Sequence, residues 1–168
     1  MFASTSQHGG ESIFDSVTVC LDVDHFLQLG FDQVISSPTI ITHIAYSLHT
    51  SSMRLRTLAS ELLAAISSLS HTQGHKAVLA AMSDYRIAYE ESFRFESLIA
   101  SLRLPNIGFD EASGNKNSFG NEEEGVWEAR TASMALVNAL INCPESLEER
   151  ILLQDEFGRR GLNEVIVV

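Results

Sequence analysis

Residues 127–166 read WEARTASMALVNALINCPESLEERILLQDEFGRRGLNEVI, and this stretch decides the fold. Ala132, Leu136, Leu140 and Cys143 recur at steps of four, four and three, which places them on one side of a helix. Pro144 follows directly and marks a turn, because proline cannot continue the hydrogen-bonded ladder. A second helix is expected after it, ending where Gly161 breaks the chain.

The same layout occurs once before. Leu58, Leu62, Ile66 and Leu69 lie 74 positions ahead of Ala132, Leu136, Leu140 and Cys143. The offset also carries Arg56-Thr57 onto Arg130-Thr131, Ala65 onto Ala139 and Leu79 onto Leu153. Ridge, flank and following helix share one offset, so the chain holds two copies of a helical repeat. The expected fold is all-α: a partial, armadillo-like helical repeat solenoid of about two to three repeats. An armadillo-like unit is about 40–47 residues, so the wider spacing needs an insertion and a lengthened 75–104 segment.

Outward from these copies, Ser36-Ser37-Pro38 reads as a helix start and PTIITHIAYSLH as the helix, with Ile40 or Ile41, Ile44, Ala45 and Leu48 inward. A helix from about Met53 to Leu69 would bury the ridge Leu58, Leu62, Ile66 and Leu69. Residues 75–89 form the next helix, with Val78, Leu79, Met82 and Tyr85 or Arg86 along it. Residues 90–104 continue as a helix with Phe95, Leu98, Ile99 and Leu102 buried, until Pro105 ends it.

Two segments break the pattern. Residues 1–30 form an unplaced N-terminal segment, small and polar over 1–12 and expected to be partly disordered. Val17, Val19, Leu21 and Val23 alternate as in a strand, while Phe26, Leu29 and Phe31 fit a helix equally well. Residues 105–125 are rich in Gly, Asn, Ser and carboxylates, the composition of a flexible acidic surface insertion.

Composition narrows the function. The net charge is −11, with no basic stripe to neutralise phosphates, so nucleic acid is not an expected partner. An acidic surface suits a basic protein partner, or serves solubility alone. Cys20 and Cys143 stand in no CxxC pair or disulfide framework, so reduced thiols and a cytoplasmic location are expected. The N-terminus lacks the basic and apolar regions of a secretory signal, and no apolar run is long enough to span a membrane.

No chemistry assembles from the remaining residues. His71 and His75 are four apart, but no cysteine or carboxylate nearby completes a zinc set. Asp22-Val23-Asp24-His25 reads as a solvated turn. There is no GxSxG elbow, P-loop or GxGxxG. No catalysis, metal or cofactor is expected.

The repeat points to binding instead. Stacked helical repeats share a continuous core and bind along one face. Opposite the ridge, helical spacing places Thr57, Glu61, Ala64 and Ser68 in the first copy. In the second it places Thr131, Ala135, Asn138 and Asn142, with Met134 and Ile141 at the margins. These side chains are small or amide-bearing, so either a partner helix or another helix of the same chain can approach closely.

The runs GHKAVLAAMSDYRIAYEESFRFESLIASLR and ALVNALINCPESLEERILLQDEFGRRGL together resemble the regulatory armadillo region of diaphanous-related formins. That region comprises the GTPase-binding and third formin-homology segments. The pieces that carry the likeness are LLAAI before a turn, Arg94-Phe95, the VNALI helix, the Pro-Glu turn, and Arg150, Glu156, Phe157, Gly161 and Leu162. PTIITHIAYSLHTSSMRLRTLASELL resembles the fungal branch, and residues 31–168 are assigned to the region. The resemblance implies binding of a Rho-family small GTPase and of the formin's own C-terminal autoregulatory helix, an amphipathic segment followed by basic residues. It implies cytoskeletal association, with actin reached only through other parts of a longer formin. Ala135, Asn138, Ala139, Ile141 and Asn142 inherit the groove role from it. The competing reading is a helical scaffold fragment without GTPase binding, functioning only within a longer solenoid.

Overall fold

The structure, a computed structural model, describes residues 30–103 and 119–166. All secondary structure among the described residues is helical, and no strand occurs. The alternating valines of 17–23 and most of the acidic stretch lie outside the described residues.

The chain divides into Met1–Ser37 and Pro38–Val168. In the first unit residues 30–35 are helical, and Asp32 O accepts from the Ser36 N–H at 3.0 Å and its hydroxyl at 2.7 Å. The second unit contains α1 (Pro38–Tyr46), a 3₁₀ turn (Ser47–His49), α2 (Met53–Leu69), α3 (Gln73–Ala88), α4 (Glu96–Ser101), α5 (Phe119–Asn142), α6 (Leu147–Arg159) and α7 (Leu162–Ile166).

Proline at the first position of α1 loses nothing, since that N–H has no partner inside the helix. Ile41 and Ala45, one turn apart, are fully buried, and α1 packs chiefly on α3. The buried side of α3 is Val78, Ala81, Met82 and Tyr85; Arg86 faces solvent. Gly74 lets α3 begin hard against the end of α2: a Cβ there would fall 2.4 Å from Ile66 O. The helix therefore runs through Gly74, and His75 sits buried in its first turn.

The ridge of α2 differs from expectation. Ala59, Ser60, Leu63, Ile66 and Ser67 are buried, whereas Leu58, Leu62 and Leu69 are 46%, 51% and 70% exposed. This helix carries two apolar rows one residue apart, and its small residues decide between them. Ala59, Ser60 and Ser67 let the backbone close on its neighbours, and the leucines turn outward. In α5 the expected ridge holds, with Ala132, Leu136 and Leu140 buried and Cys143 half-buried. The two copies thus share architecture and bury the equivalent pairs Ala59 and Ser133, Leu63 and Val137, and Ile66 and Leu140, but differ at Leu58 against Ala132 and Leu62 against Leu136.

The continuous helix expected over 90–104 is interrupted. Glu90 takes a left-handed φ of 54°, with bonds from Glu90 N to Ile87 O at 3.4 Å and from Glu91 N to Arg86 O at 2.9 Å. That is a Schellman end to α3, built without glycine. Phe95, at φ 74°, starts the six-residue α4. The expected stripe Phe95, Leu98, Ile99 and Leu102 is nonetheless buried.

Helix α5 begins at Phe119, so residues 119–125 of the acidic stretch are helical. Carboxylates favour opening turns, where they complement the helix dipole, and Glu124 stands in the second. This helix packs more extensively on α2 than on any other element. Pro144 is buried in the turn to α6, whose cap is Ser146 accepting from Glu149 N at 3.5 Å. The Ser146 hydroxyl also donates to Glu148 at 2.6 Å and, with a backbone N–H, holds that carboxyl below its ordinary pKa. Gly161, at φ 89°, separates α6 from α7 as expected.

Candidate helix-binding groove between α2 and α5

Helices α2 and α5 run side by side in the same direction. Their first halves share a cleft, and their ends meet where Cys143 Sγ lies 3.6 Å from Ser68 Oγ. The cleft has a volume of about 620 Å³. Arg54, Thr57, Leu58 and Glu61 line one wall; Glu128, Thr131, Ala132 and Ala135 face them from the other. Each residue of the first set stands 74 positions before its counterpart in the second. The repeat offset is therefore the lateral register of two parallel helices.

Four expected groove residues, Thr57, Glu61, Thr131 and Ala135, line this one cleft. The Thr57 and Thr131 hydroxyls donate to Met53 O at 3.0 Å and Trp127 O at 2.9 Å, so neither requires an outside partner. Ala64, Ser68, Asn138, Ile141 and Asn142 lie farther along the helices, outside the cleft lining. The Asn142 amide donates to Asn138 Oδ1 at 2.7 Å, which occupies that acceptor and leaves the Asn138 amide N–H groups for a partner. Ala139 is corrected: at 6% exposure it is core, because it shares the packed side of α5 with Ala132, Leu136 and Leu140. Cys143 forms no disulfide, and its thiol donates to Ser68 Oγ at 3.6 Å.

Helical spacing put Met134 at the margin but missed the rest of the apolar part of the site. Leu58, Leu62, Trp127 (53% exposed) and Met134 (38% exposed) are surface residues of these two helices. Trp127 is steadied from below: the Arg130 guanidinium lies 4.7 Å from its ring centroid and donates to Leu102 O at 3.0 and 2.8 Å. The available signal was the second leucine row of α2, which a helix with a single buried face does not need. Charge at the cleft is one-sided, since Glu61, Glu124 and Glu128 outnumber Arg54.

A second cluster fixes α4 against α6. Arg94 Nε and Nη2 donate to the two Glu156 oxygens at 3.1 and 2.5 Å, and the adjacent Phe95 and Phe157 rings stack at 4.4 Å. His75 Nε2 bonds Leu140 O at 2.8 Å, so this buried imidazole ties α3 to α5. No group of metal-ligating side chains occurs among the described residues.

The Diaphanous FH3 Domain family matches residues 75–167, more than half of the chain. The chain belongs to the formin FH3 family. That domain is a regulatory region of diaphanous-related formins and not a known enzyme family. The FH3 chain is 29% identical over 167 residues to Formin-F of Dictyostelium discoideum, covering 96% of this chain and 12% of that protein. It is 30% identical over 148 residues to human Formin-like protein 2, covering 88% and 12%. Against Formin-D of Dictyostelium discoideum it is 30% identical over 139 residues, covering 83% and 10%. The FH3 chain thus spans about an eighth of the length of the first two relatives. Four of the residues that carry the likeness to formins, Arg94, Phe95, Glu156 and Phe157, clasp α4 to α6. No helix among the described residues of this FH3 chain is long and apolar enough to cross a membrane.

Proposed function

We propose that this chain is the regulatory protein-binding module of a formin, acting in the cytoplasm in organisation of the actin cytoskeleton. Residues 31–168 constitute the armadillo region. Its α2–α5 face takes the formin's own C-terminal autoregulatory helix, and binding of a Rho-family small GTPase opposes that contact. Opposition of this kind is a coupling free energy, so each ligand weakens the other equally. The observation that carries the reading is the row of exposed leucines on α2 beside Trp127 and Met134 on α5. An amphipathic helix presents an apolar face at matching spacing. Glu61, Glu124 and Glu128 then suit the basic residues that follow such a helix.

The test is a titration of the chain with the tail segment of a formin from the same source, repeated with Leu62→Asp, Ala135→Asp and Asn138→Asp. All three positions are exposed, so the fold is kept. Burying a charge in an apolar contact is expected to weaken binding by about tenfold or more in Leu62→Asp. Unchanged affinity in all three variants rejects this groove. Adding a GTP-loaded Rho protein is expected to release the tail.

One observation favours a second reading, a helical scaffold fragment without GTPase binding that works only within a longer solenoid. Leu147, Ile151 and Leu152 of α6 are 60%, 53% and 67% exposed, an apolar face of the sort that neighbouring repeats cover.

A further inference from the structure

A cavity of about 390 Å³ opens between the 3₁₀ turn, α2, α3, α4 and α5, on the opposite side of α2 from the leucine row. Its polar lining includes His49, Arg56, Ser60, Tyr85, Ser101 and Ser133, and its apolar wall Leu48, Met82 and Leu98. No carboxylate lines it among the described residues, although the chain has 22 acidic residues against 11 Lys and Arg. Glu91 is close by: the Ser97 N–H donates to its Oε1 at 3.0 Å and the Ser97 hydroxyl donates to the same oxygen, while its Oε2 is buried with no hydrogen-bond partner among the described residues.

Two groups in this cavity lack partners. Among the described residues the Arg56 guanidinium has no carboxylate or carbonyl acceptor. Its repeat counterpart Arg130, 74 positions later, gives two N–H groups to Leu102 O. Ser60 is 1% exposed, yet its hydroxyl makes no hydrogen bond among the described residues. Other helical serines here fold back: Ser67 donates to Leu63 O at 2.9 Å and Ser83 to Leu79 O at 3.0 Å. Both groups line the cavity and are open to an acceptor from outside the chain.

The remaining hydroxyls form a second wall. The Ser101 hydroxyl donates to Leu98 O at 2.7 Å, so across the 3.1 Å contact between the two Oγ atoms Ser133 donates to Ser101, and the Ser133 oxygen is left to accept from a ligand hydroxyl. Burial pushes the Tyr85 phenol above its ordinary pKa, and its hydroxyl lies 3.4 Å from His49 Nδ1.

We propose that this cavity binds a small, hydroxyl-bearing phosphate ester, with Arg56 and Ser60 on the phosphoryl oxygens and Ser133 and His49 on the ester's hydroxyl groups. Arg56 and Ser60 stand one turn apart on α2 and both line the cavity, so a charged and a neutral donor can reach one oxyanion. The volume is in the range of small-molecule sites and leaves room beyond the phosphoryl group.

The site is independent of the α2–α5 groove and is tested with no tail segment present. The ¹⁵N-labelled 168-residue chain is titrated at constant ionic strength with glycerol 2-phosphate, inorganic phosphate and gluconate. Saturable amide shifts at Arg56, Ser60 and Ser133 are expected, tightest with glycerol 2-phosphate. Arg56→Gln is expected to weaken that binding by about tenfold or more, and Ser60→Ala by less. The amide spectrum reports whether each variant keeps its fold, and Ser60→Ala decides alone if Arg56→Gln does not. The proposal is overturned by an absence of saturable shifts, by inorganic phosphate or gluconate binding as tightly as the ester, or by unchanged affinity in the folded variants.

Discussion

Glu90 shows how far one residue can depart from what its type prefers. Its left-handed φ of 54° ends α3 in a geometry usually reserved for glycine. A Cβ in this conformation costs roughly 1–2 kcal/mol. Glu90 is exposed, so its side chain contributes little packing in return. Glu90→Gly is therefore expected to stabilise the chain by about 1 kcal/mol, less the extra entropy glycine brings to the unfolded state. Urea unfolding checks this; a fall in midpoint at unchanged slope would contradict it. The same residue explains a misreading, since a stretch without Gly or Pro between Lys76 and Leu104 gives no local sign that the helix stops at Ala88.

At the scale of elements, the clasp between α4 and α6 joins two neighbouring residue pairs. Arg94 and Glu156 are partly exposed, so their bidentate bond is worth less than its geometry implies: about 1 kcal/mol by a double-mutant cycle of Arg94→Ala and Glu156→Ala. Phe157 is fully buried on Phe95, and Phe157→Ala is expected to cost about 3–5 kcal/mol. A cycle energy larger than the Phe157→Ala loss would reverse this ranking. Most elements were legible from helical period and punctuation: Pro38 opened α1, Pro144 closed α5 and Gly161 closed α6. The buried face of α2 was not. Leu58-Leu62 and Ala59-Leu63 differ by one step of 100°, and periodicity favours whichever row is larger. Packing reversed that choice because small side chains allow closer helix approach. The groove was half legible for the same reason: Thr57, Glu61, Thr131 and Ala135 follow from spacing, whereas Leu58 and Leu62 resembled core and nothing in the spacing marks Trp127.

For the whole molecule, the question is what covers α6. Its Leu147, Ile151 and Leu152 lie on an otherwise charged helix with Glu148, Glu149 and Asp155. Exposed apolar faces of this kind drive association when their usual neighbour is absent. The chain is expected to sediment as a larger species with rising concentration, and Leu152→Glu is expected to restore a monomer. A wild-type chain that stays monomeric and binds a GTP-loaded Rho protein removes the scaffold reading.

The parallel seating of α2 against α5 also has a bearing on how the repeat tolerates change. Their register is held laterally, by side chains meeting across the cleft and by the small residues beneath it. The residue count between them is incidental. Lengthening a flexible connection between two packed helices adds loop-closure entropy of only about 0.6 kcal/mol per doubling. The number 74 is thus free to drift among related chains, while the facing pairs Thr57 with Thr131 and Glu61 with Ala135 stay opposed.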